Sequence, residues 1–350
     1  MVLNGDNPHG GDVYRNRVRH DFSINVNPLG TPEPVREAVR QAIESVGLYP
    51  DAYCEALRRA LSAHEQVPAA RILCGNGAAE LIYTLAQALR PRRALVVAPT
   101  FCEYERALQS VDCAVDLCAL RAESGFRLDI DALAARLPGA ALCFVCNPNN
   151  PTGRAYPREQ MERLLAACED ANVRLFVDEC FVDLTAQPAR FSLTGSVERH
   201  PGLFVLKAFT KSYHMAGLRL GYALCADEML LARMTRQMQP WNVSSLAQQA
   251  GIAALGCADY LDEARAMIRA ERDALTAALR GLGLTVFDSD ANFLLLRSDR
   301  ALYEPLLARG ILIRRCGGFT GLDERYFRCA VKSPAANRAL IQALEDILHG

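Results

Sequence analysis

Apolar positions follow two rhythms along this chain. From residue 94 to about 225, short apolar runs alternate with stretches in which apolar residues recur every three or four positions. Short runs bounded by Gly, Pro and Asn predict buried strands, and the longer period predicts helices. Strands are expected at about 94–98, 114–118, 141–146, 173–178, 203–207 and 219–224, with helices at about 102–111, 129–136, 157–170 and 226–238. Short connections between alternating elements predict an α/β fold, a mostly parallel sheet covered by helices on both faces.

The flanks read differently. Residues 1–30 form an arm, with a turn at His9-Gly10-Gly11-Asp12 and an extended stretch DFSINVNPLG at 21–30. Amphipathic helices are expected at about 32–46 and 52–64, then a short strand at 72–74 that enters the turn Gly75-Asn76-Gly77 and opens a helix to about Leu89. Beyond Trp241 the pattern predicts one long helix at about 244–280, strands at about 284–287, 292–297, 311–315 and 326–331, and a closing helix at 334–348. The expected organisation is an arm (1–30), a large domain (31–243), and a linking helix with a smaller α+β domain (244–350).

Composition narrows the function. Half of the 350 residues are apolar, enough for a large core in two lobes. Thirty-nine basic and 40 acidic residues leave a net charge of −1, so nothing favours nucleic acid or an anionic membrane. The longest apolar runs are strand-length, and the first residues, MVLNGDNPHGGD, lack a charged start and an apolar run; no membrane span and no signal peptide are expected, and a cytoplasmic location follows. The 13 cysteines are an odd count scattered through apolar segments, which suits reduced thiols. Cys143 and Cys146 form a C-x-x-C inside an apolar run with no second pair or His cluster beside it, so no metal is expected.

Candidate chemistry starts with lysine usage. The chain has three lysines, Lys207, Lys211 and Lys332, against 36 arginines. A lysine amine can condense with a carbonyl and a guanidinium cannot. Lys211 stands in Thr-Lys-Ser, eight residues before Arg219, whereas Lys207 reads as a strand-end lysine without chemistry. Ligands of such sheets sit at the carboxyl ends of the strands. There Cys146 runs into Asn147-Pro148-Asn149-Asn150-Pro151-Thr152-Gly153, Val177 into Asp178-Glu179, and Lys207 on to Thr210-Lys211. The turn at 75–77 opens a helix whose free N–H groups suit a phosphate, with the spacing of neither a Walker A loop nor a dinucleotide fingerprint. Arg328 alternates between apolar neighbours in YFRCAV.

PNNPTG (148–153), VDE (177–179) and TKSYHMAGLRLGY (210–222), in that order and spacing, resemble the fold-type-I enzymes that use pyridoxal 5′-phosphate (PLP), the aspartate aminotransferase superfamily. The resemblance runs across nearly the whole chain. It implies a large domain with a mostly parallel seven-stranded sheet between helices, plus a smaller α+β C-terminal domain. It also implies roles. Lys211 bonds covalently to the cofactor, and Asp178 keeps its pyridine nitrogen protonated; these are the catalytic pair. Asn150 donates to O3′, and Phe101 stacks on the ring. Gly77, Ala78 and Ala79 offer backbone N–H groups to the phosphate, with Thr210 and Arg219 beside them. Tyr49 reaches the phosphate of a neighbouring subunit's cofactor, which makes the active unit a homodimer with shared sites. Arg328 clamps the substrate α-carboxylate. Two positions depart from the pattern: Phe181 stands where many relatives have a tyrosine that bonds O3′, and Ala208 where a serine often donates to the phosphate.

Within the superfamily the chain is similar to the histidinol-phosphate aminotransferase branch. HGGD, DFSINVNPLG and ILIRRCGGFTGLDERYFRCAVKSP are most similar to the L-threonine-O-3-phosphate decarboxylases of cobalamin biosynthesis, and Phe181 agrees. That likeness implies a phosphorylated amino acid substrate and decarboxylation to (R)-1-aminopropan-2-yl phosphate. It implies substrate contacts at His9, Gly10, Asn27, Leu29, Gly30, Asn150, Arg315 and Arg328, and leaves open which of Arg314, Arg315 and Lys332 meets the substrate phosphate. One alternative is an aminotransferase acting on histidinol phosphate or another amino acid. Another, of a different class, is a non-catalytic PLP-fold protein, against which the intact Lys211, Asp178 and Asn150 set argues.

Overall fold

The structure, a computed structural model, describes residues 9–349, so the first eight residues of the arm lie outside it. Its centre is a seven-stranded sheet built from β2 (Ile72–Gly75), β3 (Arg93–Ala98), β4 (Ala114–Ala119), β5 (Leu142–Cys146), β6 (Arg174–Asp178), β7 (Leu203–Ala208) and β8 (Gly221–Cys225). Their order is β2-β8-β7-β6-β5-β3-β4, and only β8 runs antiparallel to its neighbours. The seven-stranded, mostly parallel sheet expected from the resemblance is present.

The continuous apolar runs have a simple cause: both faces of this sheet are covered. Strand residues alternate between faces, so Leu95, Val97, Cys143, Val145, Leu175, Val177, Leu203 and Val205 belong to one buried cluster. Their neighbours Val96, Phe144, Phe176, Phe204 and Leu206 belong to another, with helices α3 (Ala78–Leu89), α4 (Glu103–Gln109) and α8 (Glu228–Thr235) packed on it. Phe144, Phe176 and Phe204 form a row across three strands, with ring centroids 4.4 and 5.5 Å apart. The carboxyl ends of β5, β6 and β7 lie side by side and deliver Asn150, Asp178 and Lys211 to one edge.

A smaller four-stranded sheet, β12-β13-β10-β9, is antiparallel throughout and built from β9 (Thr285–Val286), β10 (Phe293–Arg297), β12 (Arg314–Arg315) and β13 (Tyr326–Ala330). Its own core includes Leu275, Leu294, Phe327 and Leu344, together with Phe22 from the arm.

Three expectations differ from the structure. The long helix at 244–280 is two helices, α9 (Ser245–Leu255) and α10 (Tyr260–Gly281), separated at Gly256. The periodicity continues across the break, but glycine weakens a helix interior; α9 packs on α1 (Glu33–Ala42) and α2 (Glu55–Glu65), while α10 packs on α12 (Pro334–His349) of the small lobe. The strand expected at 311–315 divides at Ile313: β11 (Ile311–Leu312) pairs in parallel with β1 (His20–Asp21) of the arm, and β12 pairs with β13. Several short elements were not anticipated, among them α11 (Tyr303–Ala308), the helical turn Val182–Leu184 and the short helix α7 (Phe209–Ser212) that carries Lys211.

Candidate active site

A cleft of about 430 Å³ opens where the carboxyl ends of the central strands meet the small sheet and the arm. Lys211, Asp178, Asn150, Ala78, Ala79, Phe101, Phe181, Thr210, Arg219, Arg328, His9 and Gly10 all line it. Residues spread over 320 positions therefore share one cavity, because each follows a strand that ends at the same edge or belongs to the lobe closing over it.

One wall is a helix start. Gly77 precedes α3 at φ +78, and no side chain caps the helix. A Cβ on Gly77 would stand 2.5 Å from Arg219 Nη2, and one on Gly221 would stand 2.6 Å from the Ala78 nitrogen. Two close approaches that only glycine permits thus bring free helix-start N–H groups and a guanidinium together, an arrangement suited to a phosphate.

The floor carries the acid and the amine. Asp178 ends β6, buried, and accepts from the Tyr104 phenol at 2.6 Å and from the Cys180 N–H at 2.9 Å. Burial raises its pKa, and those two donors oppose the rise. Burial, followed by the nearby Arg328 and Arg219 cations, lowers the Lys211 pKa to about 8. Its Nζ lies 5.8 Å from the Phe181 ring centroid.

Arg328 is buried and held from several sides. It donates to Asn150 Oδ1 and, at 2.7 Å, to the Ser23 carbonyl. With its amide oxygen turned towards the guanidinium, Asn25 accepts from Nη1 and Nε at 3.2 Å. Phe293 lies under it, 5.4 Å from the guanidinium carbon. Burial lowers its pKa to about 10. At the mouth His9 stands 3.1 Å from Glu103 Oε1, with its ring 5.8 Å from Phe101. Burial lowers the His9 pKa.

Several candidates stand elsewhere. Arg315 does not line the cleft; it bonds Glu304 at 3.3 Å and covers the Tyr303 ring at 4.3 Å. Arg314 lines it instead. The reason is register: Arg314 pairs with Arg328 across β12 and β13, and directly opposed residues share a face. Asn27, Leu29 and Gly30 lie behind Lys211, outside the cleft lining. Asn27 is buried and donates to the Ser212 carbonyl at 2.8 Å, and the Leu29 N–H and the Tyr260 hydroxyl bond within this same turn. Lys332 is also outside the cleft lining, its N–H donating to Asn337 at 3.1 Å. Tyr49 is 77% exposed and stacks on Trp241 at 4.3 Å, away from this chain's cleft. The sequence pattern did not single out Tyr104, Asn25, Ser23 or Glu103. Tyr104 reads there as one more apolar helix position.

Four cations (Lys211, Arg219, Arg314, Arg328) against two carboxylates (Glu103, Asp178) line the cleft, which suits ligands with more than one anionic group. A nucleophilic amine of lowered pKa, a buried carboxylate and a helix-start anion cradle on this sheet define the PLP-dependent transferase class of fold. The family model for aminotransferase class I and II matches residues 19–344, and the chain belongs to that family. Among curated relatives, the threonine-phosphate decarboxylase of Salmonella typhimurium is 40% identical over 334 residues, covering 94% of this chain and 91% of the relative. Among solved structures, the histidinol-phosphate aminotransferase of Clostridium acetobutylicum superposes with a TM-score of 0.89 at 29% identity, covering 94% of this chain and 99% of the other. The L-threonine-O-3-phosphate decarboxylase of Porphyromonas gingivalis does so with a TM-score of 0.83 at 28% identity and the same coverage.

Proposed function

We propose that this protein decarboxylates L-threonine O-3-phosphate with PLP as cofactor. The observation that carries the reading is the pair Arg314 and Arg328 on one face of the small sheet, turned to the same cleft as Lys211. A phosphorylated amino acid carries two anionic groups, and two guanidiniums on the substrate side match them. The name of the 40% identical relative and that of the 28% identical structure support the same substrate.

The residues present fit the cofactor. Gly77 and Gly221 leave room beside the α3 N-terminus that a Cβ would fill. Gly77, Ala78, Ala79, Thr210 and Arg219 would hold the phosphate, Asp178 the pyridine nitrogen, Asn150 the O3′ and Phe101 the ring face. Bound PLP supplies the electron sink for the pair left at Cα when a bond there breaks. The protein supplies the rest. Lys211, half neutral near pH 8, would present an amine for covalent attachment and, once displaced, would carry a proton from the substrate ammonium to Cα in place of the CO2 lost. Arg328 orients the substrate carboxylate, and Arg314 with His9 faces the substrate phosphate. How these two clamps hold the carboxylate and the phosphate would decide which bond to Cα breaks, and so whether CO2 or a proton is lost.

The active unit is a homodimer. Ile43, Val46, Leu48, Tyr49, Tyr53 and Trp241 are exposed apolar side chains, with Tyr49 stacked on Trp241, and they support a subunit interface there. A cytoplasmic setting is supported by 13 free cysteines. Among the described residues, no helix is long and apolar enough to cross a membrane.

The test is a paired assay on threonine phosphate, measuring CO2 release and 2-oxoglutarate-dependent glutamate formation. CO2 without glutamate is the expected result; glutamate without CO2 would replace the decarboxylase with an aminotransferase. A protein that binds PLP and yields neither product would be the non-catalytic alternative.

A further inference from the structure

Lys207 has no place in the chemistry above, yet it is buried at the end of β7, four residues before Lys211. Its Nζ lies 2.9 Å from Glu65 Oε1 and 3.0 Å from Asp183 Oδ1. Tyr222 donates to the same Glu65 oxygen. Burial alone would lower the Lys207 pKa, but Asp183 and Glu65 outweigh it and the net shift is upward, so the lysine stays charged. Among the described residues, Glu179, Tyr213, Tyr222 and Arg265 also face this cluster. Taking such charges out of water costs several kcal/mol per ion, and apolar side chains would stabilise a core as well. The cluster therefore calls for an explanation in what it holds.

The second oxygen of Asp183 supplies one. Asp183 Oδ2 accepts from Ser212 Oγ at 3.2 Å, and Ser212 directly follows Lys211. Asp183 also belongs to the short helical turn Val182–Leu184, whose preceding residue is Phe181, with its ring centroid 5.8 Å from Lys211 Nζ. Arg265 fixes this turn by donating to the Asp183 carbonyl at 2.8 Å. From the opposite side Asn27 holds the Lys211 turn, donating from Nδ2 to the Ser212 carbonyl at 2.8 Å and from its N–H to the Lys211 carbonyl at 3.0 Å. Helix α7 has four residues, too few to hold its own geometry.

We propose that Asp183, clamped by Lys207, is a positioning residue: through Ser212 it aims the Lys211 side chain, and through its own turn it sets Phe181 against that side chain. The inference rests on Lys211 being the reactive amine. Asp183 touches neither substrate nor cofactor in this role and acts only through Ser212 and Phe181.

Three lysines make the test direct. In cofactor-free protein labelled with 13C at lysine Cε, NMR reads three signals, assigned by single substitutions, through a pH titration. Ser212→Ala removes no charge and cuts only the link to Asp183. It is expected to shift the Lys211 midpoint by about half a pH unit or more. It should also lower kcat for CO2 release about tenfold while KM changes little. Asp183→Asn should do the same. If both variants lower the melting temperature but leave the Lys211 midpoint and kcat as in the wild type, the cluster is structural and the proposal fails. If Asp183→Asn moves the midpoint and Ser212→Ala does not, the effect is charge alone and positioning is excluded. Should Asp183→Asn fail to fold, Ser212→Ala decides alone. A borohydride-reducible cofactor band that survives Lys211→Ala would instead overturn the anchor assignment, independently of these shifts.

Discussion

The Tyr104 phenol donates to Asp178 Oδ2 at 2.6 Å, from a helix that enters the cleft edge beside Phe101. Both groups are buried, and Tyr104 packs against Phe144 and Phe176 at 5.4 and 5.7 Å. A carboxylate that must stay ionised beneath a ring nitrogen gains from each donor that opposes the effect of burial.

Tyr104→Phe keeps the ring packing and removes the donor. A hydrogen bond to a charged group contributes about 1.5–3 kcal/mol. Steady-state kinetics should show kcat/KM for threonine phosphate lowered by about tenfold to a hundredfold, with the fold retained and the melting temperature lowered by a few degrees. An unchanged kcat/KM would mean that the Cys180 N–H alone holds Asp178 ionised.

Gly77→Ala meets two obstacles, φ +78 and a contact of 2.5 Å with Arg219. A non-glycine residue in such a conformation costs about 1–3 kcal/mol, and Arg219 must also move. Titration of the cofactor-free variant with PLP should give an affinity at least about tenfold weaker, while circular dichroism stays unchanged. Wild-type affinity would place the phosphate elsewhere.

Arg314 and Arg315 are adjacent in sequence, but of the two only Arg314 lines the cleft that holds Lys211. Arg314→Ala should raise KM for threonine phosphate by about tenfold or more, the scale of a lost charge-assisted bond. Arg315→Ala should change it by less than about twofold, since its pair with Glu304 is exposed. The reverse order of effects would reassign the substrate phosphate to Arg315.

The rate of covalent PLP attachment should follow the neutral fraction of Lys211. Its pKa is lowered to about 8, so the rate rises with pH and levels above about 8, where an ordinary lysine would still be gaining near 10. Arg328 is one of the cations that lower it, so Arg328→Met should move the midpoint upward. Stopped-flow absorbance across pH 6–10 (roughly the range the shift spans) measures both. A wild-type midpoint near 10 would show that Lys211 is solvated like a surface amine.

Much of this molecule is written in local sequence. Alternation and run length mark the buried strands, because a sheet covered on both faces is apolar along nearly its whole length, as at 142–146 and 203–206. Lys211, Asp178 and Asn150 are visible because chemistry restricts which residue types can follow those strands. What the sequence could not convey depends on pairing across the chain. Which of Arg314 and Arg315 faces the cleft is set by register against Arg328, and a slip of one residue would exchange them. Tyr104 counts as apolar until Asp178 is found 2.6 Å away. The continuous helix expected at 244–280 breaks after Leu255, where α9 stays on α1 and α2 while α10 runs from the large-lobe core, through Leu261, Ala264 and Ile268, to α12 of the small lobe. Lys207 looks like a strand end until Glu65 and Asp183 close on it. Residue type and period by themselves determine the elements and the reactive groups. The direction of each group, and the charges that meet it, are decided only when distant segments are brought within hydrogen-bond range.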